Sequence, residues 1–130
     1  MKKKNRLNIK EVVKTNLYNS SPIISEAYPS VSSISIKKTY YDDSSNNQIG
    51  EIEVWNLPIT TMRMYVDIKC ILRSCIDGGF EITSDIISMI GKKETQRKSK
   101  LVCQGWQDEE RVGHYYCLST LEYEINITYK

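Results

Sequence analysis

Histidine and phenylalanine each occur once in this chain, and no apolar run approaches the roughly 18 residues of a bilayer-spanning helix. No glycine-rich phosphate loop is present, because Gly78-Gly79 is too short and has no Lys-Ser/Thr after it. The single His, His114, and the lack of a Ser-His-Asp or Cys-His signature leave a hydrolytic triad hard to build. The opening stretch MKKKNRLNIKEVV has no apolar core of the kind a signal peptide carries, so the chain is expected to be intracellular and not secreted. Disulfides are disfavoured on the same ground. These absences point to a protein that binds rather than catalyses, with no cofactor expected.

What is present is one domain's worth of sequence, 130 residues and 15.1 kDa, with nine tyrosines and a net charge of only +2. The near balance hides a segregation. Lys2, Lys3, Lys4, Arg6, Lys10 and Lys14 stand against Glu11, giving +5 over residues 2–14. Lys92, Lys93, Arg97, Lys98 and Lys100 stand against Glu94, giving +4 over residues 92–100. The rest of a +2 chain is therefore −7. Two compact basic segments on an acidic body suit an anionic surface, at about 1 kcal/mol per Lys or Arg near a charged membrane. Lys2, Lys3, Lys4, Arg6, Lys92, Lys93, Arg97, Lys98 and Lys100 are the expected contacts to anionic lipid or to a nucleic-acid-bearing particle.

Periodicity divides the chain into residues 1–33, a flexible basic arm with a short helix and a linker, and residues 34–130, a single α+β domain. Ile9, Val12, Val13 and Leu17 predict an amphipathic helix over 8–18. The Ser- and Pro-rich stretch 19–33 reads as linker. Alternation predicts strands at 34–40 and 52–55, then a long half-buried strand over 59–73 with Met62, Met64, Val66, Ile68, Cys70 and Leu72 on one face. A helix over 84–90 is expected, capped by Thr83 or Ser84 and stopped by Gly91. A basic loop at 92–100, a strand from Leu101, a hairpin loop at 107–113 and a closing strand over 120–129 complete the chain. The expected architecture is an antiparallel sheet with one or two short helices packed on it. Both basic segments fall outside the predicted strands, so their charges should be reversible with little loss of fold.

Cys70, Cys75, Cys103, His114 and Cys117 could in principle form a zinc site, but neither cysteine pair has the two-residue gap of a zinc knuckle. Cys70 also lies on the inward face of the 59–73 alternation, where a cysteine acts as a small hydrophobe. The spacing therefore favours no metal. Trp106, Tyr115 and Tyr116, near the basic 92–100 segment, read as cross-strand pairs in preference to a base-stacking set, so nucleic acid is a possible partner but not the favoured one. Tyr28-Pro29-Ser30-Val31 is similar to the short late-domain motifs with which viral proteins recruit budding machinery, against the plain alternative of an extended turn at a proline.

The order of TMRMYVDIKCILRS, FEITSDIISMI and STLEYEINITY, behind the MKKKNR arm, resembles the core of rhabdovirus matrix proteins over about half the chain. The resemblance implies a non-enzymatic structural protein that self-associates and binds anionic membrane and nucleocapsid, at the host cytoplasm, the inner membrane face or in the virion. The segment between helix and last strand is much shorter here and the PPxY motif is missing. A reduced matrix protein, or a matrix-like accessory protein that binds a host factor, accommodates those departures.

Overall fold

Residues 12–42, 47–72, 75, 78–103, 105, 117 and 119–130 are described in a computed structural model of the chain. The C-terminal alternation sets the centre of the fold. Leu121, Tyr123, Ile125 and Ile127 all point to one side and are at most 3% exposed, while Glu122, Glu124, Asn126 and Thr128 point to the other. A strand that is apolar on one face and polar on the other belongs in a sheet covered on one side only.

Among the described residues that strand is the last of six. The elements run α1 (residues 12–20), α2 (Ile24–Ala27), β1 (Val31–Tyr41), β2 (Gln48–Asn56), β3 (Asp67–Ile68), β4 (Phe80–Glu81), α3 (Thr83–Lys92), β5 (Gln96–Val102) and β6 (Thr120–Tyr129). Four strands form an antiparallel sheet in the order β2-β1-β6-β5, and β3 pairs with β4 in a second, two-stranded sheet. The fold is α+β. One face of the large sheet carries the core, where Ile34, Ile36 and Ile125 meet Ile86 and Met89 of α3, Ile24 of α2 and the Met62–Ile68 segment. The opposite face is open and largely polar, with Val54 and Val102 exposed on it. Along it the register aligns Lys37, Glu124 and Lys98 in one row and places Glu122 between Thr39 and Lys100 in the next.

Four expectations are corrected. The alternation over 59–73 is real in burial, with Met62, Met64, Val66 and Ile68 inward, but only Asp67–Ile68 forms a paired strand. The extended chain there bonds piecemeal: Met64 N–H donates to Pro22 O at 2.7 Å, Ile24 N–H to Met62 O at 2.9 Å, and Ile82 N–H to Val66 O at 2.9 Å. Alternation reports which side is wet and cannot supply a neighbouring strand. The stretch 19–33 is not a linker from Ile23 onward: Ile23 bridges Arg63, Ile24 is fully buried, and β1 begins at Val31 opposite Tyr129. The folded body thus starts well before residue 34.

α3 is capped differently too. Ile82 holds the N-cap position, and the Thr83 hydroxyl accepts instead from Val66 N–H at 2.8 Å. The helix runs through Gly91 and ends at Lys93, which takes the left-handed conformation (φ 58°) usually left to glycine. Finally, 92–100 is not a loop. It comprises the end of α3, a short turn and most of the edge strand β5. Residues 1–11, with the first four residues of the expected first helix, and the expected hairpin loop at 107–113 lie outside the described residues.

Candidate metal centre

Inward parity continues on both chains past one end of the β5–β6 pair. Val102 faces Thr120, Cys103 N–H donates to Ser119 O at 2.7 Å, and Cys117 N–H donates to Gly105 O at 2.8 Å. Cys103, Gly105, Cys117 and Ser119 therefore share the face that carries Leu121 and Tyr123. Gly105 adds no side chain, so the two thiols and the Ser119 hydroxyl converge. Cys103, Cys117 and Ser119 are almost wholly buried.

Residues 69–72, 75, 78 and 79 lie at this end of the sheet, where the Tyr40 hydroxyl donates to Lys69 O at 3.3 Å. They bring Cys70 to 3.6 Å from Cys117 and Cys75 to 3.5 Å from Cys103, sulfur to sulfur. All four sulfurs lie within 4.8 Å of one another. Gly78 seals the cluster from the side. A Cβ there would stand 2.3 Å from the Cys75 sulfur and 2.6 Å from that of Cys103, so no larger residue fits without moving the thiols.

Donors surround the sulfurs. Gly105 N–H points at Cys103 Sγ at 3.4 Å, and the Ser119 hydroxyl lies 3.3 Å from both Cys70 Sγ and Cys117 Sγ. The contact with Cys70 and the backbone N–H groups of Gly105 and Gly79 hold the Cys103 thiol far below its usual range, down to about 4. The same contact with Cys103, together with burial, pushes Cys70 up, and burial followed by its thiol neighbours raises Cys75 to about 12. The cluster favours a thiolate at Cys103 while Cys70 and Cys75 hold their protons, the behaviour of thiols crowded around one small volume.

The spacing argument against a metal is thus overturned in its premise. Thirteen residues separate Cys103 from Cys117 and four separate Cys70 from Cys75. Strand pairing and the placement of Cys70 and Cys75 bring the four sulfurs together without a short knuckle loop. Strand parity is the sequence signal that places two of them: counted back by twos from Leu121, Cys117 falls on the inward face, as Cys103 does counted on from Leu101. His114 lies outside the described residues.

The basic residues divide. Lys2, Lys3, Lys4 and Arg6 lie outside the described residues, as do Trp106, Tyr115 and Tyr116. Lys14 turns toward the body and pairs with Asp67 at 3.0 Å. Arg97 is engaged by Glu94 at 2.9 Å and Asp85 at 3.6 Å, which holds its guanidinium charge more firmly and keeps the Glu94 carboxyl below the usual range. Lys100 approaches Glu122 at 3.7 Å, and Lys93 sits 5.4 Å over the Tyr129 ring. Lys92 and Lys98 are exposed. On the open face Lys37, Lys98 and Lys100 line a shallow groove of about 400 Å³ together with Glu122 and Glu124, so cation and carboxylate alternate there. The Tyr28–Val31 motif is folded in: Val31 is 1% exposed in β1 and Tyr28 packs on the core, so it cannot be presented as a free linear peptide.

No helix among the described residues is long and apolar enough to cross a membrane. Comparison of the chain with protein-family models, with curated proteins and with solved structures finds no match.

Proposed function

We propose that this chain is a non-catalytic peripheral protein of the viral matrix kind, which seats α1 and the basic arm before it on an anionic membrane and there meets the nucleocapsid. The observation that carries this reading is the orientation of α1. Its Lys14 and Tyr18 face the body, Lys14 in the Asp67 pair and the Tyr18 hydroxyl accepting from Arg63 N–H at 3.2 Å. Val12, Val13 and Leu17, by contrast, are 56%, 52% and 47% exposed.

A helix that turns its apolar side chains to water exposes surface that an interface would cover. Directly before it the sequence holds Lys2, Lys3, Lys4, Arg6 and Lys10. Cations before an exposed apolar arc suit a bilayer interface bearing anionic headgroups, since charge draws the segment in and burial of Val and Leu retains it. The second basic segment contributes less than its count suggests, because Arg97, Lys93 and Lys100 already have partners.

Flotation of the full chain with phosphatidylserine-containing and with neutral vesicles tests the reading. Binding is expected only to the anionic vesicles. Changing Lys2, Lys3, Lys4 and Arg6 to Glu should abolish it, since loss of four cations alone removes roughly 4 kcal/mol. Replacing Val12, Val13 and Leu17 by Ser should weaken it at unchanged charge. Equal flotation of the wild type and the Glu variant would end this reading.

A further inference from the structure

We propose that Cys70, Cys75, Cys103 and Cys117 bind one thiophilic divalent ion, zinc above all, as a closed structural centre with four thiolate ligands. This stands apart from the membrane reading, because none of the four residues belongs to α1 or the basic arm.

The distances fit. Four sulfurs at the corners of a tetrahedron with Zn–S bonds of ~2.3 Å are ~3.8 Å apart. The 3.5 and 3.6 Å edges and the 4.8 Å upper bound enclose that value. A disulfide needs a sulfur separation of ~2.05 Å and a paired approach. Here each sulfur has three sulfur neighbours within 4.8 Å, and the two shortest separations are 3.5 and 3.6 Å.

The donor set selects the metal. Four sulfurs and, among the described residues, no carboxylate suit zinc and other soft or borderline ions rather than the oxygen-seeking calcium and magnesium. The chain itself fills a four-coordinate shell, which leaves no position for water or substrate, so the centre holds structure and does no chemistry.

The surroundings suit a charged metal–thiolate group better than four neutral thiols packed as hydrophobes. Each thiol releases its proton to solvent as the ion enters, leaving a centre of charge −2. The Gly105 N–H and the Ser119 hydroxyl are placed to donate to those sulfurs. Lys14 Nζ lies 3.4 Å from the carbonyl of Gly78, the residue wedged against two of the sulfurs. An apolar cluster would need neither these donors nor a glycine at 78.

The topology says what the ion achieves. Cys103 and Cys117 close the open end of the β5–β6 pair, and Cys70 and Cys75 tie the segment that carries them onto it. One ion would join stretches far apart in sequence, where the described residues form no long strand.

The test uses the full chain produced in zinc-supplemented medium and purified without chelator. Elemental analysis should find about one zinc per chain. Cobalt(II) added to the chelator-stripped protein should give the thiolate charge-transfer absorption and the intense visible bands of a tetrahedral sulfur field. All four cysteines should resist alkylation until chelator is added. A variant carrying both Cys70→Ser and Cys117→Ser should lose the bound zinc and the tetrahedral cobalt spectrum. Because the variant could fail to fold, the wild-type cobalt titration decides by itself. Absence of the sulfur-field spectrum would overturn the proposal, as would a wild-type mass four hydrogens light with two disulfides and no metal.

Discussion

Phe80 is the chain's only phenylalanine and is 1% exposed, its ring tilted against Tyr40 with centroids 6.4 Å apart. A ring enclosed in this way leaves a large cavity when cut back, so Phe80→Ala should lower stability by about 3–5 kcal/mol in urea denaturation. The tyrosines set an alkaline limit. Burial, then the nearby Glu53 and Cys70 charges, raise the Tyr40 hydroxyl from 10.0 to about 12, and burial with the hydrogen bond to Asp85 does the same for Tyr123. A folded-state pKa above the unfolded one means that the unfolded chain loses its proton first. The contribution of both residues is thus complete below pH 10 and lost as pH rises toward 12. Urea midpoints measured across that interval should fall steadily, and replacing Tyr123 by Phe should flatten part of the fall. Burial of Tyr123 was legible from its place in the alternating closing strand. The hydroxyl partner of Tyr123 was not, since Asp85 is 38 residues away.

At the scale of elements, α3 and β5 show how polar sequence conceals structure. Alternation in β5 turns Arg97, Ser99 and Leu101 inward and Gln96, Lys98 and Lys100 outward, so an apolar periodicity search finds only its last turn of pattern. Lysines on an edge strand deter unwanted pairing, and the strand forms because β6 offers a ladder. Arg97 holds this strand to α3 through Asp85 and Glu94, hence its charge is not freely reversible. Arg97→Glu should lower the thermal midpoint well beyond the effect of Lys92→Glu, a change on the exposed last turn of α3; calorimetry on the two variants checks this. Gly91 stands inside α3, and a Cβ there would meet nothing within 4 Å. Gly91→Ala should therefore stabilise the protein by about 0.5–1 kcal/mol, read as a higher urea midpoint. The helix itself was legible from Ile86, Met89 and Ile90; its end was not, because Gly91 served as helix interior while Lys93 took the left-handed turn.

For the whole molecule, the main sheet provides a largely polar open face, a buried face and one end tied by sulfur. If the four thiolates hold zinc, removing it frees the segment carrying Cys70 and Cys75 from the sheet. Excess chelator should then lower the thermal midpoint of the wild type and leave that of a Cys70→Ser, Cys117→Ser variant unmoved. Differential scanning fluorimetry with and without chelator makes the comparison.

Local pattern alone determined the α+β class, the inward set of β6 and the apolar side of α3, because side-chain direction in a strand or helix follows from spacing of two or 3.6 residues. It also determined the charge segregation, a property of composition. Tertiary structure decided everything that depends on a partner: which alternating stretch pairs, which cations are already matched, and whether a Tyr-Pro motif is a free peptide or the start of β1. It alone decided that four widely spaced cysteines meet. Convergence of Cys70 and Cys75 with Cys103 and Cys117 requires the β5–β6 register and the contact of Lys69 O with Tyr40, and neither is a property of the intervals between the cysteines.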